Sequence, residues 1–312
     1  MTYKKIVLAG GSGYIGSVLI KHFAPLTDSI IVLSRGKAHC QENVEYVPWD
    51  GQTLGDWASH IEDADLLVNL TGKNVNCRYT ATNRRLILNS RINAIKVLGQ
   101  AIQQCSTPPK SWIQCASANI YRHAEDRPMD EDSGEIGTGF SVRVCLDWER
   151  SFEEQKLNHT RKALLRVGIV MGLNEGVFPR LATLAKWGLG GKQGDGNQMV
   201  SWIHESDMAN MIQWIHNNKI SGTFNATAPQ PIKNKDQMRI VRTEMGIPFG
   251  LPAPTLLLNL GAWIIGTEPE LILKSRWAIP KRLVDLGFKF ECNTFEEAIK
   301  KILSNKYCFQ IL

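Results

Sequence analysis

The sequence predicts an α/β fold: a doubly wound parallel sheet with a smaller C-terminal lobe. Three observations predict it. Strand and helix signals alternate through the first half of the chain, and parallel strands need such crossover connections. A glycine-rich stretch, Gly10-Gly11-Ser12-Gly13-Tyr14-Ile15-Gly16, separates the first apolar run from the first helical pattern. Beyond Gly168 the alternation stops, and glycine and proline become frequent.

The elements follow in order. Ile6-Val7-Leu8-Ala9 reads as the first strand, and Val18-Leu19-Ile20 to Phe23 has helical spacing. Ile30-Ile31-Val32-Leu33 is a second strand and Val44-Glu45-Tyr46-Val47 a third. Asp65 to Leu70 is a fourth, and Trp112 to Ala116 a fifth. Between these two, a long helix spans roughly 82–105, with apolar positions at Leu86, Leu88, Ile92, Ile95, Leu98 and Ile102. Pro108-Pro109 closes it. A helix over about 142–155 leads to a sixth strand, Lys162 to Val167. After a glycine-rich loop, Gly188 to Asn197, Trp202-Ile203-His204 enters a helix starting near Asp207, with Asp207 a candidate N-cap. The proline-rich tail carries short helices. Residues 1–172, with 205–228 returning to them, are read as a Rossmann-like dinucleotide-binding domain. Residues 173–204 and 229–312 are read as a smaller substrate-type domain over the C-terminal edge of the sheet, where ligands of such sheets bind.

Composition narrows the function. The chain has 312 residues and a formal net charge of +6, with both signs spread along it. That pattern argues against a nucleic-acid binder. Seven dispersed cysteines without a Cys-x-x-Cys pair suit reduced thiols, not a disulfide frame or a metal site. The first apolar run is too short for a signal peptide. The apolar stretch from Thr255 to Gly266 is too short to span a bilayer. A cytoplasmic protein without membrane segments is expected.

Gly10, Gly13, Tyr14, Ile15 and Gly16 form a strand-to-helix turn suited to a pyrophosphate. Glycines let the backbone approach, and the helix N-terminus offers free N–H groups and partial positive charge. Ser34-Arg35 ends the second strand, where an NAD-selective site carries an acid. A hydroxyl and a guanidinium there suit a 2′-phosphate, so NADP(H) is expected over NAD(H). Asn69-Leu70-Thr71-Gly72 ends the fourth strand with residues small enough for a cofactor to pass. Ser117 and Tyr121 follow the fifth strand. Each reads either as a group facing the cleft or as a capping serine and a packed tyrosine. His204 reads either as a substrate ligand or as a structural histidine.

These residues resemble the extended short-chain dehydrogenase/reductase superfamily. More narrowly, the chain is similar to its atypical "epimerase family protein" branch, related to nucleoside-diphosphate-sugar epimerases. The markers are Val68 to Gly72, Ser90-Arg91, Leu165 to Val170, Gly188 to Gly191, Ser201 to His204 and Phe224 to Pro229. Leu251 to Pro254, and Ala278 to Phe290, resemble the small domain that ends this branch. The resemblance implies NADP(H) contacts from the glycine loop, Ser34, Arg35, Leu70, Thr71, Arg91 and the segment near Val170. It implies a small-molecule substrate, a nucleotide-sugar or other carbonyl compound, and a monomer or homodimer. Lys73 stands where the branch usually has Glu, and Asn119-Ile120 and Arg122-His123 replace small residues around the tyrosine.

Hydride-transfer enzymes of the superfamily use a tyrosine followed four residues later by lysine, whose charge lowers the phenol pKa. No tyrosine here has that lysine, and the pair's positions fall near Ser141 and Cys145. Two expectations follow. One is an NADP(H)-dependent oxidoreductase or epimerase-like enzyme in which Ser117 or Tyr121 serves the carbonyl oxygen. The other is an NADPH-binding regulator or sensor with little catalysis.

Overall fold

The computed structural model describes residues 2–264, 268 and 270–309. The first half runs β1 (Tyr3–Ala9), α1 (Tyr14–Phe23), β2 (Thr27–Ser34), β3 (His39–Gln41), β4 (Val44–Pro48), β5 (Leu66–Asn69), α2 (Ala81–Gln104), β6 (Ser111–Ser117), α3 (Phe140–Glu153) and β7 (Arg161–Val167). The second half adds β8 (Ile169–Met171), α4 (Phe178–Lys186), β9 (Met199–Val200), β10 (Trp202–His204), α5 (Glu205–Asn217), β11 (Gly222–Ala226) and β12 (Ile232–Lys233). It ends with α6 (Asn234–Glu244), α7 (Thr255–Ile264), α8 (Glu270–Leu273), α9 (Lys281–Asp285) and α10 (Phe295–Phe309).

One sheet of eight strands has the order β11-β7-β6-β5-β1-β2-β4-β3. Its neighbours are parallel except β3, which folds back antiparallel on β4 at the edge. Strand side chains alternate between faces, and both faces are apolar because helices cover both. Ile6, Leu8, Ile30, Val32, Val68 and Ile113 pack with Leu19 and Phe23 of α1 and Met208 and Ile212 of α5. Val7, Ala9, Ile31, Leu33, Leu67 and Trp112 pack with Ala94 and Leu98 of α2 and Trp148 and Phe152 of α3. A third core gathers α4, α6 and α10 through Phe178, Leu181, Met238, Val241, Phe295 and Ile299.

The six expected strands and the long helices are present, with small shifts of boundary. Thr80 caps α2, its hydroxyl accepting from the Asn83 N–H at 3.2 Å. One expectation is corrected at α5. His204, not Asp207, is the N-cap and accepts from the Ser206 N–H. The Asp207 carboxylate is occupied elsewhere, accepting from the N–H groups of Glu291 (2.7 Å) and Cys292 (3.1 Å). It thereby fastens α5 to the segment before α10. The strands β3, β8, β9, β10, β11 and β12 are additional. β11, with one large apolar side chain in Gly222-Thr223-Phe224-Asn225-Ala226, extends the sheet beside β7. The six cysteines whose side chains are described are free thiols; Cys308 lies outside that set. The apolar stretch after Thr255 forms α7, and Gly266 at its end lies outside the described residues. No helix among the described residues is long and apolar enough to cross a membrane.

Candidate functional site

The β1–α1 turn is built by contacts that only glycine permits. Gly10 has φ +72°, and a Cβ there would lie 2.8 Å from Thr71 Oγ1. A Cβ at Gly16 would lie 1.9 Å from the Gly11 carbonyl oxygen, so α1 packs directly on the turn. Gly13 differs, because nothing lies within 4 Å of its Cβ position. It is the N-cap of α1 and supplies no capping side chain, which leaves the helix N-terminus without a capping partner of its own. Tyr14 and Ile15 pack their side chains against the core, and the Tyr14 hydroxyl donates to Glu205 Oε2 at 2.7 Å. Toward the open side of the turn both residues therefore offer backbone N–H groups.

Ser34 is buried at the end of β2, its Oγ accepting from the Gly36 N–H at 3.4 Å. Arg35 is exposed and forms no ion pair among the described residues. Leu70 donates its N–H to Ala9 O, and Thr71 donates its N–H to Asn69 Oδ1. The Thr71 hydroxyl is buried without a hydrogen-bond partner among the described residues. Gly72 abuts the Arg91 guanidinium, which would lie 3.0 Å from a Cβ there. Gly10, Thr71, Gly72 and Arg91 thus form one continuous wall.

Arg91 is 8% exposed. Its Nη1 donates to Ile87 O (2.8 Å) and Lys73 O (3.2 Å), its plane lies 4.7 Å over the Trp148 ring, and its Nε is buried without a partner. No carboxylate pairs with it among the described residues. Burial lowers its pKa, with the nearby Cys145 and Tyr79 pulling the other way. A buried guanidinium without a carboxylate partner can accommodate an anion.

Beyond Arg91 lies a cavity of about 240 Å³ at the C-terminal ends of β6 and β7. Ala116, Ser117, Asn119, Val167 and Gly168 form its sheet side. Phe140, Ser141, Val144, Cys145 and Trp148 of α3, with Val75, Tyr79 and Ile87, complete it. Ser117 both caps and lines: its Oγ accepts from the Asn119 N–H at 3.2 Å on the cavity wall. Ser141 and Cys145 also meet on this wall. The Ser141 hydroxyl is buried and makes no hydrogen bond among the described residues, and burial raises the Cys145 thiol to about 12, so it is protonated.

Tyr121 lies apart from this wall. It is 1% exposed and does not line the cavity. Its hydroxyl receives a bond from Arg166 Nη1 (2.8 Å) and contacts Asn225 Oδ1 (2.9 Å) and Asp130 O (3.1 Å). Arg166 in turn holds Glu149 through two bonds of 2.9 and 2.8 Å. Tyr121 is therefore a packed residue that helps tie α3 to the sheet. Val170 is buried in β8 opposite Ile203 and is not on the cavity wall. His204 is 1% exposed, bound to Ser206, and does not reach the cavity.

Against this geometry, the model of the NAD dependent epimerase/dehydratase family matches residues 6–226. The chain belongs to that family. A domain of unknown function (DUF1731) matches residues 253–302. The epimerase family protein YfhF of Bacillus subtilis is 30% identical over 305 residues, covering 96% of this chain and 98% of the relative. The epimerase family protein ML0860 of Mycobacterium leprae is 30% identical, covering 94% of each. The crystal structure of human epimerase family protein SDR39U1 (isoform 2) with NADPH superposes with a TM-score of 0.85 at 25% identity, covering 96% of this chain and 99% of that one.

For a member of this epimerase/dehydratase family, the residues present fit a dinucleotide. Among the described residues, nothing lies within 4 Å of a Cβ at Gly13, Thr71 Oγ1 and Arg91 Nε are buried without hydrogen-bond partners, and Arg35 forms no ion pair. Phosphate oxygens and ribose hydroxyls are the groups that satisfy such donors. Sequence reasoning missed Tyr79, Phe140 and Trp148 on the cavity wall. Tyr79 had one available signal: its loop follows β5, and loops at that edge of the sheet surround the ligand.

Proposed function

We propose that the chain is an NADP(H)-dependent oxidoreductase or epimerase-like enzyme acting on a small carbonyl compound, with nucleotide-sugars among the candidates. The observation that carries this reading is the continuous wall from Gly10 through Thr71, Gly72 and Arg91 into the cavity that holds Ser117. Backbone N–H groups of Gly13, Tyr14, Ile15 and Gly16 would hold the pyrophosphate, with Gly10 shaping the turn. Ser34 and Arg35 would take the 2′-phosphate. Leu70, Thr71, Gly72, Arg91 and Val170 complete the cofactor set. The NADPH in the human relative supports the choice of nucleotide. When bound, the reduced nicotinamide supplies hydride.

The chain's own residues do the rest. Ser117 Oγ donates a hydrogen bond to the carbonyl oxygen and polarises it, keeping its Asn119 contact through a lone pair. Arg91 stabilises negative charge in a site from which Phe140, Val144 and Trp148 exclude water. Glu149 and Arg166 hold α3 against β7, so that Ser141 and Cys145 keep their place on the wall. Residues 173–204 and 229–312 form the substrate-type lobe in this reading, supported by their own apolar core. The free thiols support a reducing, cytoplasmic setting.

A second reading, an NADPH sensor, is favoured by one observation: the cavity wall carries the serine Ser141 and the protonated thiol Cys145 near where the resemblance expects the tyrosine and lysine. One experiment separates the two. NADPH consumption is followed against a panel of carbonyl compounds and nucleotide-sugars, for the native chain and for Ser117→Ala. The enzyme reading expects substrate-dependent consumption, reduced about 100-fold by the substitution, as for loss of one oxyanion donor. Tight NADPH binding with no consumption across the panel favours the sensor.

A further inference from the structure

We propose that Tyr79, carried into the cavity by the loop between β5 and α2, donates the proton to the substrate's carbonyl oxygen. It would replace the tyrosine absent at Ser141. The inference rests on the reductase reading and names its acid.

Among the described residues, Tyr79 is the one tyrosine on the cavity wall. The other described phenols are committed elsewhere. Tyr3 donates to Asn217, Tyr14 donates to Glu205, Tyr46 stacks on His39, and Tyr121 is enclosed by Arg166, Asn225 and Asp130. Tyr79 shares the wall with Ser117, Ser141 and Cys145, the residues around which a carbonyl would sit. It is also held in place. Its N–H donates to Glu268 Oε1 (2.8 Å), its carbonyl accepts from Arg84 Nε (2.8 Å), and its ring meets Phe140 edge-on at 5.0 Å.

It shares this wall with Ser141, whose Oγ is buried without a hydrogen-bond partner among the described residues. That is the partner a proton donor needs for resupply. The charges around it are mixed. Burial raises the phenol pKa first; Ser141 opposes this, Glu270 and Cys77 add to it, and Arg276 lowers it. Arg91 on α2 also senses the Tyr79 charge. The phenol is therefore neutral and proton-bearing at neutral pH, while Arg91 and Arg276 stand close enough to steady a phenolate.

The step balances. The hydride that NADPH would supply would form the new C–H bond at the carbonyl carbon, with the C=O π pair moving onto oxygen. That oxygen takes the Tyr79 proton. The phenolate regains a proton from water through Ser141 Oγ, leaving an alcohol and the oxidised cofactor.

The test uses the tyrosinate absorbance of the purified chain, titrated with pH, with and without NADP+. Calorimetry at the same pH records whether NADP+ binds. If bound NADP+ sets its positive nicotinamide ring beside Tyr79, one tyrosine should ionise at least about tenfold more readily. Tyr79→Phe should lose that shift and still bind NADP+; Tyr121→Phe should keep it. Ser141→Ala, which removes a neighbouring hydroxyl that favours the phenolate, should weaken the shift even if the Phe variant folds poorly. NADP+ binding with no tyrosine shift, or with a shift that survives in Tyr79→Phe, overturns the Tyr79 proposal and leaves the cofactor reading standing. Absence of NADP+ binding to the native chain overturns both.

Discussion

Replacing Arg35 by alanine should separate NADPH from NADH. Arg35 is exposed, forms no ion pair among the described residues, and follows a serine whose only side-chain bond is a long one of 3.4 Å. Its removal leaves no buried charge and no cavity, so stability should stay within about 0.5 kcal/mol of the native value. The loss falls on the ligand instead. A guanidinium–phosphate contact is a charge-assisted hydrogen bond worth about 1.5–3 kcal/mol. At about 1.4 kcal/mol per decade, NADPH affinity should drop roughly 10- to 100-fold. NADH, which lacks the 2′-phosphate, should bind as before. Titration of both nucleotides by cofactor fluorescence or calorimetry, at one fixed ionic strength, reads the difference. Equal losses for NADPH and NADH, or no loss for either, would refute the assignment of Arg35 to the 2′-phosphate.

Further predictions concern the turn, the α3 anchor and pH. Gly13→Ala and Gly16→Ala should fail differently: the first places a methyl in open space and should lower NADPH binding with little change in Tm, whereas the second drives a Cβ to 1.9 Å from the Gly11 oxygen and should lower both. Glu149→Gln should destabilise by about 3–5 kcal/mol in urea unfolding, since it strands a buried guanidinium. The side chains of Arg166 and Glu149 are only 13% and 8% exposed, and Glu149 holds Arg166 above its ordinary pKa against the pull of burial. Burial also lowers His204 and His216 from their ordinary 6.5 to about 4. Their folded pKa values lie below the unfolded ones, so their contribution is complete above pH ~6.5 and is lost as pH falls toward ~4. Each should add up to roughly 1.4 kcal/mol per pH unit to the slope of stability in that window. Denaturant unfolding of a His204→Asn, His216→Asn variant should show a flatter slope; an unchanged slope would count against the buried-neutral assignment.

The sheet was legible because its strands carry unbroken apolar runs and its long helices a clear period. Ile6 to Ala9 and Ile30 to Leu33 place alternate residues in two cores, which only a sheet covered on both faces requires. β11 and the two- and three-residue strands escaped because so few side chains show no periodicity. The N-cap of α5 was misplaced because Asp207 has the right chemistry but a distant partner, the backbone at Glu291 and Cys292. Among the site residues, the glycine loop is a local pattern and is visible as such. Tyr121 kept two readings in the sequence because its position after β6 points to the cleft, while the residues that enclose it, Arg166 and Asn225, are distant in sequence. Tyr79 has no local signature; it joins Ser117 only when the sheet brings the β5–α2 loop over β6.

A crystal structure of the chain with NADPH tests the central claim most directly. The account predicts the pyrophosphate on the Gly13 N-terminus of α1, the 2′-phosphate against Ser34 and Arg35, and the nicotinamide ring in the cavity between Arg91 and Ser117, within reach of the Tyr79 hydroxyl. A nucleotide bound elsewhere, or with its nicotinamide outside that cavity, would contradict it.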